Sequence, residues 1–279
     1  MRRNIVIATI LCLILSSFGQ VAGAENQRIV SLAPSTTEIL FALGLEQNIV
    51  GVTTFCNYPP AVSEKEKVGT FSQPDIERIV SLKPDIIFAT GLEQAYTVER
   101  LRQLNLNFYV SDPSNIEELY ESILEIAELT DRRKEAKRLI AVMRSKIERI
   151  ETQTELISQE EKVKVFIEIW HDPLLTAGRG SFVDELVTLA GGINIADDTP
   201  RPYSYFSAEQ LIVRDPGCII LGHRAGGNVL EFVKGRLGWS QINAVKKGYV
   251  YDDVDPDLFM RPGPRLAEGL VEIHERLYP

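Results

Sequence analysis

The sequence predicts an α/β fold of two similar lobes with mainly parallel sheets, joined by a single long helix. Short apolar runs alternate with helical patterns on both sides of a highly charged middle segment, which is typical of parallel sheets covered by helices. One phrase also occurs twice: DIERIVSLKPDIIFA begins at Asp75, and SAEQLIVRDPGCIIL begins at Ser207. In each copy a glutamate near the start is followed, at equal spacing, by a proline and then a β-branched run.

The first predicted lobe begins with a short apolar strand at residues 28–32, which ends before Pro34. In the following helix, Ser35 and Glu38 have the spacing of a reciprocal N-terminal cap, and Gly44 suits the helix end. The same alternation then predicts strand 48–52, helix 76–82, strand 85–89, a helix near 97–104 and strand 107–112.

The middle of the chain differs from the rest in composition. From residue 115 to about residue 157 it is rich in charge, and its apolar residues recur at helical spacing. After a break near Thr130 and Asp131, one apolar stripe comprises Ala136, Leu139, Ile140, Met143, Ile147 and Ile150. We therefore predict a connecting helix at residues 131–158, between lobes at 25–130 and 159–279. A coiled-coil dimer is the alternative, but its heptads are not sustained.

The second half repeats the plan of the first. It reads as the runs VKVFIEIW, SFVDELVTLAGG and INIADD, the second copy of the repeated phrase, GYVYDD and a final helix at residues 264–277. The stretch LVTLAGGINIADD also resembles LFALGLEQNIVGV in the first half. The repetition indicates two related lobes.

The N-terminus has the composition of a cleaved export signal. Two arginines precede an unbroken apolar run from Ile5 to Leu15, and small residues follow up to Ala24. A retained membrane anchor is the alternative, but the run is shorter than the ~20 residues that a span requires. We predict a signal peptide at residues 1–24, cleaved after Ala24, and a periplasmic chain. Lipid anchoring is not expected, because Cys12 lies inside the apolar run.

Composition and motifs argue against several functional classes. A net charge of −9 at pH 7 disfavours nucleic acid as a partner. Cys56 and Cys218, which remain after export, are too few for a disulfide scaffold and lack zinc-site spacing. The three histidines are scattered, and no Gly-x-Ser-x-Gly nucleophile motif occurs. We predict no metal site, no prosthetic group and no enzymatic activity; a secreted hydrolase or metal enzyme is the alternative from another class.

The predicted loops at strand ends are rich in aromatic residues. In open α/β sheets, ligands bind beyond the carboxyl ends of the strands, and two facing lobes would form a cleft there. Aromatic rings in such a cleft would present broad faces to a large, flat ligand. For Phe55 and Phe206, burial in the core is an equal alternative. The loop aromatics are Phe55, Tyr58, Phe71, Trp170, Tyr203, Tyr205, Phe206 and Phe259.

Glu77 and Glu209 occupy equivalent places in the two copies of the repeated phrase. The simpler interpretation is that each is favoured near a helix start by the helix dipole. The other is that each lobe presents one exposed carboxylate, so that a two-fold partner with basic pockets could bind both at once.

Several stretches resemble a known family. SLAPSTTEILFALG, CNYPP, IERIVSLKPDIIFA, LAGGINI and SAEQLIVRDP are similar to the periplasmic substrate-binding proteins of ABC importers that carry cobalamin, iron-siderophores or haem. The similarity covers essentially the whole mature chain and is greatest to the vitamin B12 binders. It implies the helical-backbone periplasmic binding protein fold, little hinge motion and no catalysis. It also implies a permease dimer with its cytoplasmic ATPase as the partner, and membrane contact only through that permease.

The resemblance also assigns residues. It implies that Glu77 and Glu209 dock onto arginines of the two permease subunits, and that Tyr58, Phe71 and Tyr203 are cleft aromatics. Thr90 departs from it, because the vitamin B12 binders carry a large aromatic residue there. Cys56 is open to three interpretations: a cobalt ligand, a reactive thiol or a packed small residue. The full predicted ligand site comprises Cys56, Tyr58, Phe71, Trp170, His171, Tyr203, Phe259 and Arg261.

The function predicted from the sequence is capture of a corrinoid, cobalamin or a relative, between the lobes and its delivery to the permease. A ferric siderophore or haem is the alternative ligand. Many siderophores are anionic and would favour a cleft lined by arginine. The chain offers four arginines near strand-end loops: Arg179, Arg201, Arg224 and Arg261.

Overall fold

The computed structural model describes residues 26–279, so the predicted signal peptide at residues 1–24 lies outside the described residues. The first lobe contains one parallel sheet with the strand order β2-β1-β3-β4. Its elements are β1 (Ile29–Ser31), α1 (Pro34–Ala42), β2 (Ile49–Val52), α2 (Ile76–Ser81), β3 (Ile86–Ala89), α3 (Ala95–Gln103), β4 (Phe108–Val110) and α4 (Ile116–Leu129).

Helices cover both faces of this sheet, which explains why its strands are short, nearly continuous apolar runs. Neighbouring residues of a strand point to opposite faces. Ile29 and Phe88 therefore pack into one apolar cluster with α1 and α4, while Val30 and Ile87 pack into another with α2 and α3. All four side chains are fully buried.

The second lobe contains a six-stranded sheet with the order β10-β9-β5-β6-β8, in which β7 pairs with β5. Its strands are β5 (Lys164–His171), β6 (Leu174–Ala177), β7 (Ile193–Asn194), β8 (Tyr203–Tyr205), β9 (Cys218–Leu221) and β10 (Val250–Tyr251). Its helices, numbered after the connecting helix α5, are α6 (Phe182–Leu189), α7 (Ala208–Arg214), α8 (Val229–Lys234), α9 (Asn243–Lys247), α10 (Asp257–Met260) and α11 (Leu266–Leu277).

The second sheet differs from the first in having an antiparallel edge. Strands β7, β9 and β10 run parallel to their neighbours, whereas β6 is antiparallel to both β5 and β8. The sequence did not predict β6 or β8. LLTA is very short, and β8 alternates exposed and partly buried residues because it forms the sheet edge. The sheet is mainly parallel, as predicted.

A single helix, α5 (Arg133–Thr154), joins the lobes, as predicted. It packs against α4 and α11, so it contacts elements of both lobes. Of the predicted apolar stripe, Ala136, Met143, Ile147 and Ile150 are buried. The predicted break is also present, since α4 ends at Leu129. The lobe boundaries at residues 130 and 158 stay predictions.

The predicted cap of α1 is wrong. The helix begins two residues earlier, with Ala33 as the N-cap and Pro34 in the first turn, and no side chain caps it. Proline suits that position because its fixed φ is helical and it has no N–H to leave unpaired. Ser35 and Glu38 consequently lie inside the helix and are buried. Gly44 does follow the helix end, with a φ of +76°.

The repeated phrase has the same structure in both lobes. Asp75 caps α2 by accepting a bond from the backbone N–H of Arg78, and Ser207 caps α7 through that of Gln210. Each helix then leads into a fully buried strand, β3 or β9. Over residues 26–279, none of the helices combines the length and the apolar character needed to cross a membrane.

Candidate functional site

Two adjoining cavities lie between the lobes, with volumes of about 300 and 490 Å³. Both are lined by Glu93, Asp112, Met260 and Pro262, so they form one continuous cleft. The first also contacts Pro34, Ser35, Phe55, Phe71, Thr90, Ser111 and Arg261. The second also contacts Pro113, Ser114, Gly180, Ser181, Phe182, Arg201, Pro202 and Tyr203.

The cleft lies at the carboxyl ends of the first sheet, which is where open α/β sheets bind ligands. Ser35 follows β1, Thr90 follows β3, and Asp112 follows β4. Among the described residues, Thr90 Oγ1 is buried and has no hydrogen-bond partner. The first cavity therefore has an unused hydroxyl in its wall.

The part of the cleft wall shared by both cavities is acidic. Glu93 and Asp112 are exposed on it. Partial burial, followed by the negative charge of Glu93, raises the pKa of Asp112. An anionic ligand would approach two carboxylates here, and like charges that meet in a cleft repel each other.

Arg261 also lines the first cavity, but its charge is already matched. It donates a hydrogen bond of 2.7 Å to Asn57 Oδ1 and forms ion pairs with Asp257 at 2.8 Å and Glu38 at 3.3 Å. Of the other predicted arginines, Arg201 lines the second cavity. Arg179 pairs with Asp197, and Arg224 donates to the carbonyl of Asp252; neither lines these cavities.

An aromatic cluster lies at the carboxyl end of β5. The ring of Trp170 is 4.9 Å from that of His171 and 5.5 Å from that of His223, and 48% of the Trp170 side chain is exposed. The cluster lines neither cavity, but Gly222, which precedes His223, is close to the cleft residue Met260: a Cβ on Gly222 would lie 3.1 Å from the Met260 sulfur. Beneath it, the buried carboxylate of Glu168 accepts hydrogen bonds from Arg236 and lies 2.7 Å from His223 Nε2.

Glu77 and Glu209 are exposed in the first turns of α2 and α7. Ser207 donates a hydrogen bond of 2.6 Å to Glu209, and this bond lowers the pKa of Glu209. Both carboxylates are accessible to a partner.

Residues 29–256 match the family model of the periplasmic binding proteins. The chain belongs to this family. Its members bind solutes and are not enzymes, so the prediction of a binding protein is confirmed. It is the extracytoplasmic substrate-binding protein of an ABC importer, in the group that includes vitamin B12, haem and siderophore binders.

Three relatives illustrate the range of this group. The uncharacterized ABC transporter substrate-binding lipoprotein YvrC of Bacillus subtilis is 38% identical over 260 residues, 91% of this chain and 81% of YvrC. A structure of a possible iron-binding, periplasmic solute-binding protein from Staphylococcus epidermidis is 31% identical, with a TM-score of 0.79 and coverage of 91% and 99%. The periplasmic vitamin B12-binding protein BtuF of Vibrio cholerae is 27% identical, with a TM-score of 0.76 and coverage of 90% and 96%.

Within this binding protein, the structure places Phe71, Tyr203 and Arg261 on the walls of the cleft. Phe55 is also there and is 57% exposed, which decides its open assignment in favour of the cleft. Phe206 is buried against Phe166 and belongs to the core.

Of the predicted ligand residues, Trp170 and His171 line neither cavity of the cleft, and three others lie away from it. Phe259 is fully buried in the core, because the opposite side of the short helix α10 faces the cleft and presents Met260 instead. Cys56 is 3% exposed, and its sulfur contacts the hydroxyl groups of Thr37 and Thr53 at 3.2 and 3.3 Å. It is therefore the packed small residue among the three interpretations.

Tyr58 is the third. Its ring lies 4.0 Å from the guanidinium carbon of Arg265 and lines a separate cavity, together with residues of α1, α5 and α11. The two cysteines within residues 26–279 are both free and buried. Burial raises the pKa of the Cys218 thiol to about 12.

The sequence reasoning missed Glu93, Asp112 and Met260, because it considered aromatic rings and arginines in the strand-end loops but not carboxylates or methionine. Asp112 carries a usable signal, since it follows the last strand of the first lobe. Glu168 carries another: a carboxylate inside the apolar run VFIEIW must find a partner. Within residues 26–279, no group of three or more His, Cys, Asp or Glu side chains could hold a metal ion.

Proposed function

We propose that this binding protein captures a corrinoid, cobalamin or a close relative, in the cleft between its lobes and delivers it to an ABC permease. Phe55, Phe71 and Tyr203 would contact the flat ring system, and Trp170 with His171 would border it from the second lobe. The likeness to BtuF of V. cholerae, a vitamin B12-binding protein, supports the choice of ligand.

The observation that carries the proposal is the pair Glu93 and Asp112 on the wall common to both cavities. Carboxylates accept hydrogen bonds from amide N–H groups and repel anions. A corrinoid presents many amide side chains. Haem carries two carboxylates, and many ferric siderophores are anionic. Because the charge of Arg261 is matched by Glu38 and Asp257, it offers little attraction to offset this repulsion.

A ferric siderophore or haem is the second candidate. It is favoured by the likeness to the possible iron-binding protein of S. epidermidis and by Arg201 in the second cavity. Such a ligand would have to place its anionic groups near Arg201 and away from the acidic wall.

Delivery would use Glu77 and Glu209, one carboxylate from each lobe for each permease subunit. We further propose that residues 1–24 are removed after Ala24 and that the mature chain is free in the periplasm. YvrC is a lipoprotein by name. In this chain Cys12 lies within the apolar run, so the same anchor is not expected.

To test the proposal, the protein is expressed with its N-terminal segment in bacteria supplied with cobalamin, haem and iron, and the exported protein is purified. The mass and visible spectrum of any ligand that copurifies are then recorded. The proposal expects a corrinoid mass and spectrum. Retention of haem or of an iron catecholate, without corrinoid, would overturn it.

A further inference from the structure

One wall of the cleft is formed by a segment that reaches across to the first lobe. We call residues 257–265 the wall segment; it comprises α10 and the turn that leads into α11. Met260 and Pro262 line both cavities, and Arg261 lines the first. By sequence the segment belongs to the second lobe, yet its polar contacts are made largely with the first.

The anchor of these contacts is Glu38, in the middle of α1. Arg265 donates two hydrogen bonds to its carboxylate, from Nε to Oε2 at 2.9 Å and from Nη2 to Oε1 at 2.8 Å. Arg261 adds a third contact of 3.3 Å to Oε1. The Glu38 side chain is 2% exposed, so this carboxylate has exchanged water for two guanidinium groups.

Further contacts close the network around the anchor. Asn57, in a first-lobe loop, accepts a hydrogen bond from Arg261 and donates one of 3.1 Å to Asp257. Tyr58, beside it, lies under the guanidinium of Arg265. Two arginines thus meet three carboxylates in a partly dehydrated junction: Glu38, Asp257 and Asp255, which lies 3.6 Å from Arg265.

The turn is also held close to α1. Gly263 lies so near the helix that a Cβ would come 3.6 Å from Glu38 Oε2 and 3.7 Å from Ser35 Cα. On the other side, Phe259 is fixed in the core with no exposed surface. The three cleft-lining residues between these points are therefore held by Phe259 on one side and by Glu38 on the other. Glu38 itself lines neither cavity of the cleft.

We propose that Glu38 is a positioning residue for the ligand site: it holds the wall segment, and through it Met260, Arg261 and Pro262, in the geometry that the ligand meets. The part of this inference that concerns ligand rests on the proposed function of the cleft. Without the Glu38 carboxylate, Arg265 keeps only Asp255, at 3.6 Å, as an acidic partner, and a largely dehydrated guanidinium that loses its main partner seeks water. The wall segment should then move while the rest of both lobes remains folded.

The test compares the full mature chain with four variants: Glu38→Gln, Glu38→Asp, Arg265→Lys and the control Glu268→Gln. Arg265→Lys keeps the charge and loses the two-pronged geometry. Glu268 is an exposed acid that pairs with Lys146 at 2.9 Å. Amide hydrogen exchange is followed by mass spectrometry without ligand. We expect exchange in residues 257–263 to become at least about tenfold faster in Glu38→Gln and Arg265→Lys. Exchange in β9 and in the control should match the parent.

The second measurement is affinity for cyanocobalamin. We expect a dissociation constant at least about tenfold weaker in Glu38→Gln, partial recovery in Glu38→Asp, and parental affinity in the control. Parental exchange in the wall segment, or parental affinity despite faster exchange, would overturn the inference. Should Glu38→Gln not fold, Arg265→Lys and Glu38→Asp decide it by the same measurements. If the parent itself fails to bind cyanocobalamin, the corrinoid proposal fails, while the exchange data still decide whether Glu38 holds the wall.

Discussion

Arg265 donates two hydrogen bonds, of 2.8 and 2.9 Å, to the buried carboxylate of Glu38 across the junction between the lobes. This two-pronged geometry is the strongest form of an arginine–carboxylate contact. The contact joins α1 to the residue that precedes α11, and α11 also packs against the connecting helix α5. The lobes are thus tied at the cleft as well as through the helix.

The first prediction concerns stability. Glu38→Ala should lower the free energy of unfolding by up to about 3–5 kcal/mol, because it leaves Arg265, where little water reaches it, with only the more distant Asp255 as an acidic partner. The double change Glu38→Leu with Arg265→Met should cost less than Glu38→Ala alone. Lys146→Ala, which removes an exposed ion pair, should cost less than about 1 kcal/mol. Urea denaturation measures all three; equal losses for Glu38→Ala and Lys146→Ala would contradict the account.

The second prediction concerns charge in the cleft. The raised pKa of Asp112 means that, as pH falls from about 7, the native chain takes up this proton before the unfolded chain does. That uptake adds stability as pH falls, opposite to a salt-bridged carboxylate, whose contribution is lost on acidification. It also removes one negative charge from the wall. Affinity for anionic haemin should therefore strengthen as the pH falls and Asp112 takes up its proton, and that for neutral cyanocobalamin should change less.

Asp112→Asn is the matched variant for this second prediction. It should bind haemin more tightly at pH 7 and should flatten the pH dependence. Fluorescence titration across the pH range is sufficient. Parallel pH profiles in the parent and Asp112→Asn would show that the charge on this residue does not select the ligand.

The third prediction concerns Trp170. If its exposed ring borders the ligand, Trp170→Ala should weaken binding of cyanocobalamin by about 1–3 kcal/mol. Tyr96→Ala is the control, because Tyr96 is 79% exposed on α3 and lines neither cavity of the cleft. Calorimetry gives the affinities and circular dichroism checks the fold. An unchanged affinity in a folded Trp170→Ala protein would show that the aromatic cluster lies outside the ligand site.

The fourth prediction separates capture from delivery. Glu77→Ala and Glu209→Ala should each leave cyanocobalamin affinity unchanged and reduce transport in a reconstituted importer. The double variant should lose more transport activity, because a bivalent contact keeps one of its two docking sites after a single substitution and neither after two. Charge reversal to Lys should be more damaging than Ala. Glu135→Ala is the control, because Glu135 is a partly exposed acid in the first turn of α5. Normal transport by the double variant would show that Glu77 and Glu209 serve only to stabilise the starts of their helices.

Local patterns predicted the parts of the fold that local physics determines. Buried parallel strands such as β3 and β9 have continuous apolar sequences, and the apolar residues of α5 recur at helical spacing. The exposed edge strand β8 has no such pattern. In α10, four residues are too few to show which side faces inward, so Phe259 was taken for the cleft residue and Met260 was missed.

The contacts that shape the cleft depend on distant parts of the chain. Glu38 was assigned to a local cap, whereas its partners, Arg261 and Arg265, lie 223 and 227 positions away. The same distance hides the pairing of Tyr58 with Arg265. Asp112 could have been predicted from the sequence, because the rule that ligands bind at the carboxyl ends of parallel strands applies to polar residues as well as to aromatic ones.

The most direct test of the central claim, that the cleft binds a corrinoid, is calorimetric titration of residues 25–279, the chain without its predicted signal peptide, with cyanocobalamin, haemin and a ferric catecholate. We expect one cyanocobalamin per chain with a dissociation constant at or below about 1 μM, and binding of the two anionic ligands at least about tenfold weaker. Tight binding of haemin or the ferric catecholate, with no heat from cyanocobalamin, would contradict the account.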